Sequence, residues 1–308
     1  MKKIYAVIIT LLLLAAGCST TEKIDNSNDP KKIKVVATIG MIADIAKNVG
    51  KDKVQVTGLM GPGVDPHLYK ASEGDVRTLS SADIIFYNGL HLEAKMGEVL
   101  EEIGEKKKTV AVSEDIPREQ LLDFIGYPGQ YDPHIWFDVN MWIIATKKVR
   151  DELSAFDPEN KEYYYANAQE YITKLEKLHD YVKKRSAEIP KDQRVLVTAH
   201  DAFNYFGRQY GFEVVGLQGI STAAEAGTGD VQKLVDFIVQ RKIKAIFVES
   251  SVPERNIKAV QEAAKSKGWD VKVGGSLYSD AMGDEGTFDG TYAGMITHNI
   301  DTVANALK

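Results

Sequence analysis

Four side chains of this 308-residue chain have the types and settings to hold a cation. His67 lies in Gly61-Pro62-Gly63-Val64-Asp65-Pro66-His67, His134 in Asp132-Pro133-His134-Ile135-Trp136, and His200 in Thr198-Ala199-His200-Asp201-Ala202-Phe203. Asp280 lies in Leu277-Tyr278-Ser279-Asp280-Ala281-Met282. Three imidazoles and a carboxylate can fill a four-position site for a divalent metal. The Gly-Pro-Gly segment and both Asp-Pro steps make stiff loops suited to holding an imidazole in place. Successive spacings are 67, 66 and 80 residues, so no local spacing proves convergence. Taken singly, each His is more often a structural or solvent-facing residue than a ligand. The repeated Asp-Pro-His tripeptide strengthens the metal reading only modestly. His91, His179 and His298 carry no such setting: His179 falls beside the stripe of a long helix and His298 in the last amphipathic helix.

The elements that must position these residues read as α/β. Ile33 to Thr38, Val54 to Met60, Ile84 to Tyr87 and Thr109 to Val112 are short β-branched runs separated by helical stretches such as Met41 to Val49 and Lys95 to Ile103. That alternation signals parallel strands joined by crossover helices. The second half repeats the style with Val195 to Ala199, Glu213 to Leu217, Ile243 to Val248 and Val271 to Gly274, separated by helices at Asp230 to Arg241 and Glu254 to Lys267. Ligands of open α/β sheets bind beyond the carboxyl ends of strands. His67, His200 and Asp280 fall there, and His134 precedes a helix. Between the halves, Asp157 and Pro158 signal a helix start. Tyr164, Ala168, Tyr171, Leu175, Leu178 and Val182 then recur on one helical stripe, and Pro190 closes the stretch. The expected architecture is two lobes, each with a mainly parallel sheet flanked by helices, joined by one long rigid helix.

Composition narrows the class. Hydrophobic residues make up 44% and charged residues 27%, values of an ordinary globular chain. The formal charge of −6 argues against nucleic-acid binding, since nothing here would neutralise a row of phosphates. One Cys excludes an internal disulfide and any Cys-cluster metal site. That Cys18 follows Lys2-Lys3, an apolar run from Ile4 to Leu14 and Ala15-Ala16-Gly17, which is a secretory leader and not a transmembrane helix. The segment resembles a bacterial lipoprotein box, with Ala15 where a larger aliphatic residue is usual. Residues 1–17 are then the signal peptide, and 18–31 a lipidated Cys18 with a polar tether. The body divides into an N-terminal lobe at 32–156, the connecting helix at 157–190 and a C-terminal lobe at 191–308. Two acyl chains on Cys18 would anchor it stably on the extracytoplasmic face of the cell membrane.

The segments GPGVDPHLYKAS (61–72), NGLHLE (88–93), DPHIWFD (132–138), TAHDAF (198–203), VESSVPE (248–254) and LYSDAMG (277–283) resemble the metal-binding solute-binding lipoproteins of ABC importers, the cluster A-I or TroA-like proteins. The resemblance runs from about Ile33 to the C-terminus and leans to the manganese-binding members. It implies two lobes with the metal held between them, and ligands at His67, His134, His200 and Asp280. Glu249 is implied as a residue that orients an imidazole. The cargo implied is Mn2+, with Zn2+ as the alternative. His200 stands where some manganese members have Glu, which moves the site toward zinc. The stretch from Ser113 to Tyr131 has no His, unlike the His-rich loop of many zinc importers. The partners implied are a membrane permease with its cytoplasmic ATPase and the lipid bilayer; the protein itself is expected to be a monomer and not an enzyme. Two other readings are a surface adhesin and a secreted metallohydrolase. The second has no His-Glu-x-x-His or Gly-x-Ser-x-Gly to support it.

Overall fold

In the computed structural model, which describes residues 32–124 and 126–308, the first half of the chain builds one four-stranded parallel sheet. The leader, Cys18 and the tether lie outside the described residues. The strands are β1 (Ile33–Ala37), β2 (Val54–Gly58), β3 (Ile84–Tyr87) and β4 (Lys108–Ala111), in the order β2-β1-β3-β4. Central β1 and β3 are almost wholly buried, whereas edge strands β2 and β4 have exposed positions. Apolar runs buried on both faces are what a helix-covered parallel sheet demands. The crossover helices are α1 (Gly40–Gly50), α2 (Glu73–Ser81) and α3 (Gly97–Gly104). Helix α4 (Val139–Phe156) completes this half. Its N-cap Asp138 accepts the backbone N–H of Asn140.

The long helix, α5 (Lys161–Ala187), starts later than the Asp157-Pro158 signal implies. Pro158 opens a 3-10 turn at Pro158–Asn160 instead. The Asp157 carboxylate is taken by Tyr164 Oη at 2.6 Å and Asn160 Nδ2 at 2.8 Å, so it does not cap the backbone. The 27 residues of α5 span about 40 Å. Every residue of the stripe read from the sequence is buried. The N-terminal half of α5 is tied to α1: Tyr171 Oη donates to Asp44 Oδ2 at 2.7 Å, and Asn167 Nδ2 to the Val49 carbonyl at 3.0 Å.

In the second half, β5 (Val195–His200) pairs with β6 (Glu213–Gln218), and β7 (Ala245–Glu249) with β8 (Lys272–Leu277), all in parallel. These are two two-stranded ladders, with β5 running beside β7. The helices are α6 (Asn204–Tyr210), α7 (Thr228–Arg241), α8 (Arg255–Ser266) and α9 (Tyr292–Leu307). The C-terminal half of α5 is clamped to α9, since Tyr181 Oη and Arg185 Nε both donate to Asp301, at 2.8 and 2.7 Å.

One apolar core runs from the first sheet through α4 and α5 to Phe203, Tyr205 and α9. Phe137 meets Phe203 with ring centroids 4.2 Å apart, and Trp142 stacks on Tyr292 at 5.3 Å. A separate, smaller core fills the space between β5 and β7 and helices α7 and α8. Residues 32–308 therefore form a single unit by their contacts. Large hinge opening would have to part close-packed apolar surface, which favours small displacements. No helix among the described residues is long and apolar enough to cross a membrane.

Candidate metal centre

Strand ends and short stiff turns deliver the four candidate ligands. His200 is the last residue of β5, and Asp280 follows β8 by three positions. His67 lies within the loop that joins β2 to α2. His134 opens the 3-10 turn Ile135–Phe137 that leads into α4. The two Asp-Pro-His segments fold alike: Asp65 Oδ1 accepts the His67 N–H at 2.9 Å, and Asp132 Oδ1 accepts the His134 N–H at 3.0 Å. Gly216 on β6 lets the turn after His200 approach closely. A Cβ there would lie 2.5 Å from Asp201 N and 2.6 Å from the His200 carbonyl carbon.

The four side chains converge. One ligand atom from each lies within 4.8 Å of all the others, and none of the four residues is more than 3% exposed. His67 Nε2 is 3.3 Å from His134 Nε2, and Asp280 Oδ1 is 3.4 Å from His134 Nε2. Asp280 Oδ2 is 3.3 Å from His200 Nε2 and 3.9 Å from His67 Nε2. Donors at 2.0–2.1 Å from a tetrahedral ion stand about 3.3–3.4 Å apart, so the spacing fits a divalent ion at the centre. His200 Nε2 and both Asp280 oxygens are buried without a hydrogen-bond partner. A buried carboxylate in that condition is costly unless a cation answers it.

Carboxylates behind two of the rings set their tautomers. Asp132 Oδ1 is 2.7 Å from His134 Nδ1, and Glu249 Oε2 is 2.6 Å from His200 Nδ1. A carboxylate can only accept, so each Nδ1–H donates outward, and each Nε2, once it gives up its proton, turns its lone pair inward. Glu249, at the end of β7, also takes the His200 N–H through Oε1 at 2.9 Å. Among the described residues, no protein group bonds His67 Nδ1. Burial pulls the His67 imidazole down to about 3, leaving it neutral. Burial also opposes charge on His134, but Asp132 and then Asp280 outweigh it and lift that ring to about 9. His200 is held well above its ordinary value against the cost of burial by Glu249 and Asp280. Burial pushes the Asp280 carboxyl up, yet His200 and His134 overcome this and hold it well below the usual range. Displacement of an imidazole proton by the ion would couple metal binding to pH.

The other histidines lie elsewhere: His179 Nδ1 meets Tyr210 Oη at 3.2 Å, and His298 Nε2 meets the Ser276 carbonyl at 3.0 Å. His91 is exposed, with φ of 63°. Its NGLHLE segment acts through neighbours. Buried Glu93 accepts from Asn88 N at 2.7 Å and Thr38 Oγ1 at 2.7 Å, and Asn88 Nδ2 reaches the Pro133 carbonyl at 2.9 Å. In the sequence, Asp65 and Asp132 count only as parts of stiff Asp-Pro steps, and their hydrogen bonds to the histidines are not legible there. The one signal for them was the aspartate standing two places before each His.

Replacing Glu249 with Gln should test the tautomer argument. One acceptor oxygen becomes an NH2 group, and pairing it with Nδ1 would put the ring proton on Nε2, facing the centre. Metal affinity is expected to fall about 10–100-fold while the metal-free protein keeps its melting temperature. Titration and thermal melts of the variant check this, and unchanged affinity would rule out the tautomer role.

The family described as zinc-uptake complex component A, periplasmic (ZnuA) matches residues 35–306. The manganese-binding lipoprotein MntA of Bacillus subtilis (strain 168) is 50% identical over 303 residues, 98% of each chain. The zinc-binding protein TroA of Treponema pallidum (strain Nichols) is 49% identical over 306 residues, 99% of this chain and 98% of TroA. The solved structure of the periplasmic zinc-binding protein TroA from Treponema pallidum superposes with a TM-score of 0.88 at 52% identity, covering 90% of this chain and 99% of that one. With the match running nearly end to end in both sequence and fold, the chain belongs to the ZnuA family of metal-uptake components.

Proposed function

We propose that the protein captures one divalent transition-metal ion between its two lobes and hands it to the permease of an ABC importer. His67, His134, His200 and Asp280 are the ligands in this reading. The observation that carries it is the buried convergence of four ligand atoms, with His200 Nε2 and the Asp280 carboxylate left without a hydrogen-bond partner. Four protein ligands replace the ion's water and leave no open position for a substrate, which suits a carrier better than a catalyst. The relatives named for manganese and for zinc match almost equally. We take manganese as the physiological cargo because the stretch from Ser113 to Tyr131 has no His, with zinc binding at least as tightly in vitro because three imidazoles favour it and intrinsic affinity rises from manganese to zinc. The protein works as an extracytoplasmic monomer anchored through Cys18, with the permease driven by a cytoplasmic ATPase. The lipoprotein names of relatives support that location.

Titration of metal-stripped protein with Mn2+ and Zn2+ at controlled free-ion levels tests the reading, together with uptake of each ion in cells with and without the gene. Both ions are expected to bind, with gene-dependent uptake of manganese. Gene-dependent zinc uptake would overturn the cargo, and binding of neither ion would overturn the site. Imidazoles bind metal only when neutral, and His134 is held up to about 9 without metal, so protons compete throughout the neutral range. Affinity is therefore expected to fall as pH drops from 8 to 6, by about tenfold per pH unit for each proton displaced. A flat profile over that range would contradict the proton-exchange picture.

A further inference from the structure

The two Asp-Pro-His turns share a backbone pattern but differ in what holds them against the second lobe. Asp132 spends Oδ1 on its own His134 ring, and its Oδ2 accepts from Asn204 Nδ2 at 3.2 Å. Around it, Tyr205 Oη donates to the Asp132 carbonyl at 2.9 Å, and Trp136 Nε1 to the Ser279 carbonyl at 3.0 Å. His134 is thus fixed by several bonds. The His67 loop has far less. Asp65 Oδ2 accepts the hydroxyl of Thr222 at 2.6 Å. Among the described residues and apart from the ligand contacts themselves, this is the one side-chain hydrogen bond from residues 61–67 to the second lobe. Thr222 is 6% exposed, so the bond is shielded from water, while its neighbours Ala223, Ala224 and Glu225 are exposed. The other Asp65 oxygen carries the His67 backbone N–H, so one carboxylate couples Thr222 directly to a candidate ligand. Gly63, with φ of 71°, brings the same loop close to the Ser250 carbonyl, where a Cβ would lie 3.4 Å away.

We propose that Thr222 is a positioning residue: its bond to Asp65 holds His67 in place across the lobe seam and sets how slowly the ion leaves. This rests on the carrier reading above. A shielded hydroxyl-to-carboxylate bond is among the stronger neutral-to-charged hydrogen bonds. Breaking it frees the imidazole with the fewest other restraints.

The test is the rate of Mn2+ release from the loaded purified protein into excess EDTA, with the association rate measured in parallel. Thr222→Val keeps the side-chain shape and loses the donor. It is expected to speed release by about tenfold or more while association stays unchanged. Thr222→Ser keeps the hydroxyl and is expected to restore slow release. Release as slow as wild type in Thr222→Val would overturn the proposal. So would Thr222→Ser releasing as fast as Thr222→Val, because the methyl group's packing would then be what matters. A wild-type protein that binds neither manganese nor zinc would overturn the carrier reading itself, a result distinct from unchanged release in a protein that does bind.

Discussion

Asp280→Ala is expected to cost more metal affinity than any other single change, well beyond the roughly 10–100-fold loss that removal of an outer carboxylate brings. Asp280 is the one charged ligand of the proposed set, and it approaches all three imidazoles, at 3.3, 3.4 and 3.9 Å. It is buried with neither oxygen hydrogen-bonded, so its removal takes away a ligand without breaking a hydrogen bond, and the imidazoles around it can shed their protons in its absence. The metal-free variant should therefore fold and melt much as the wild type does. The difference should appear on adding metal. Free ion at a hundredfold excess over Kd stabilises the wild type by about 2.7 kcal/mol, and the variant should gain little from the same dose. Thermal melts with and without Mn2+ or Zn2+ make the comparison. A variant that still gains the full shift would remove Asp280 from the site.

Trp136→Ala should produce the largest loss of stability. The side chain is fully buried, and deleting a buried Trp costs about 3–5 kcal/mol. Three contacts raise the stakes here. The ring stands edge-on to His134 at 5.2 Å, its Nε1 donates to the carbonyl of Ser279 next to Asp280, and its own carbonyl accepts from Tyr292 Oη at 2.7 Å. One residue thus braces a candidate ligand from each lobe. The expected result is a marked drop in denaturation midpoint together with weaker metal binding. Trp136→Phe separates the two effects. It keeps most of the apolar bulk but leaves the Ser279 carbonyl unpaired, about 1–3 kcal/mol, and should perturb the Asp280 loop more than the core. Full stability in Trp136→Ala would mean that the cavity closes by rearrangement.

Much of the framework was legible because buried strands write themselves as apolar runs. The bounds of β3 match its sequence reading to the residue, and β1 differs at its end by one. His67, His200 and Asp280 were legible as residue types beyond strand ends, and His134 as one preceding a helix. What the sequence hid were choices among competing partners. Asp157 looks like a helix cap, but a tyrosine one turn into the helix and Asn160 claim its carboxylate, so α5 begins at Lys161. Asp65 and Asp132 are the same residue in the same tripeptide, yet one bonds a ring and the other reaches Thr222, 157 positions away. Such differences depend on what the opposite lobe presents, and no local pattern encodes that.

The four converging residues arrive late and from far apart. His67 and His134 belong to the first half of the chain, His200 to the second, and Asp280 comes from its last tenth. Truncated or half-made chains lack the carboxylate that completes the quartet. On the proposed reading, a polypeptide threaded unfolded across a membrane carries no ion with it. Its cargo is drawn from whatever metals surround the place where the last strand docks, so the location of folding, and not that of synthesis, decides which ion is first taken up.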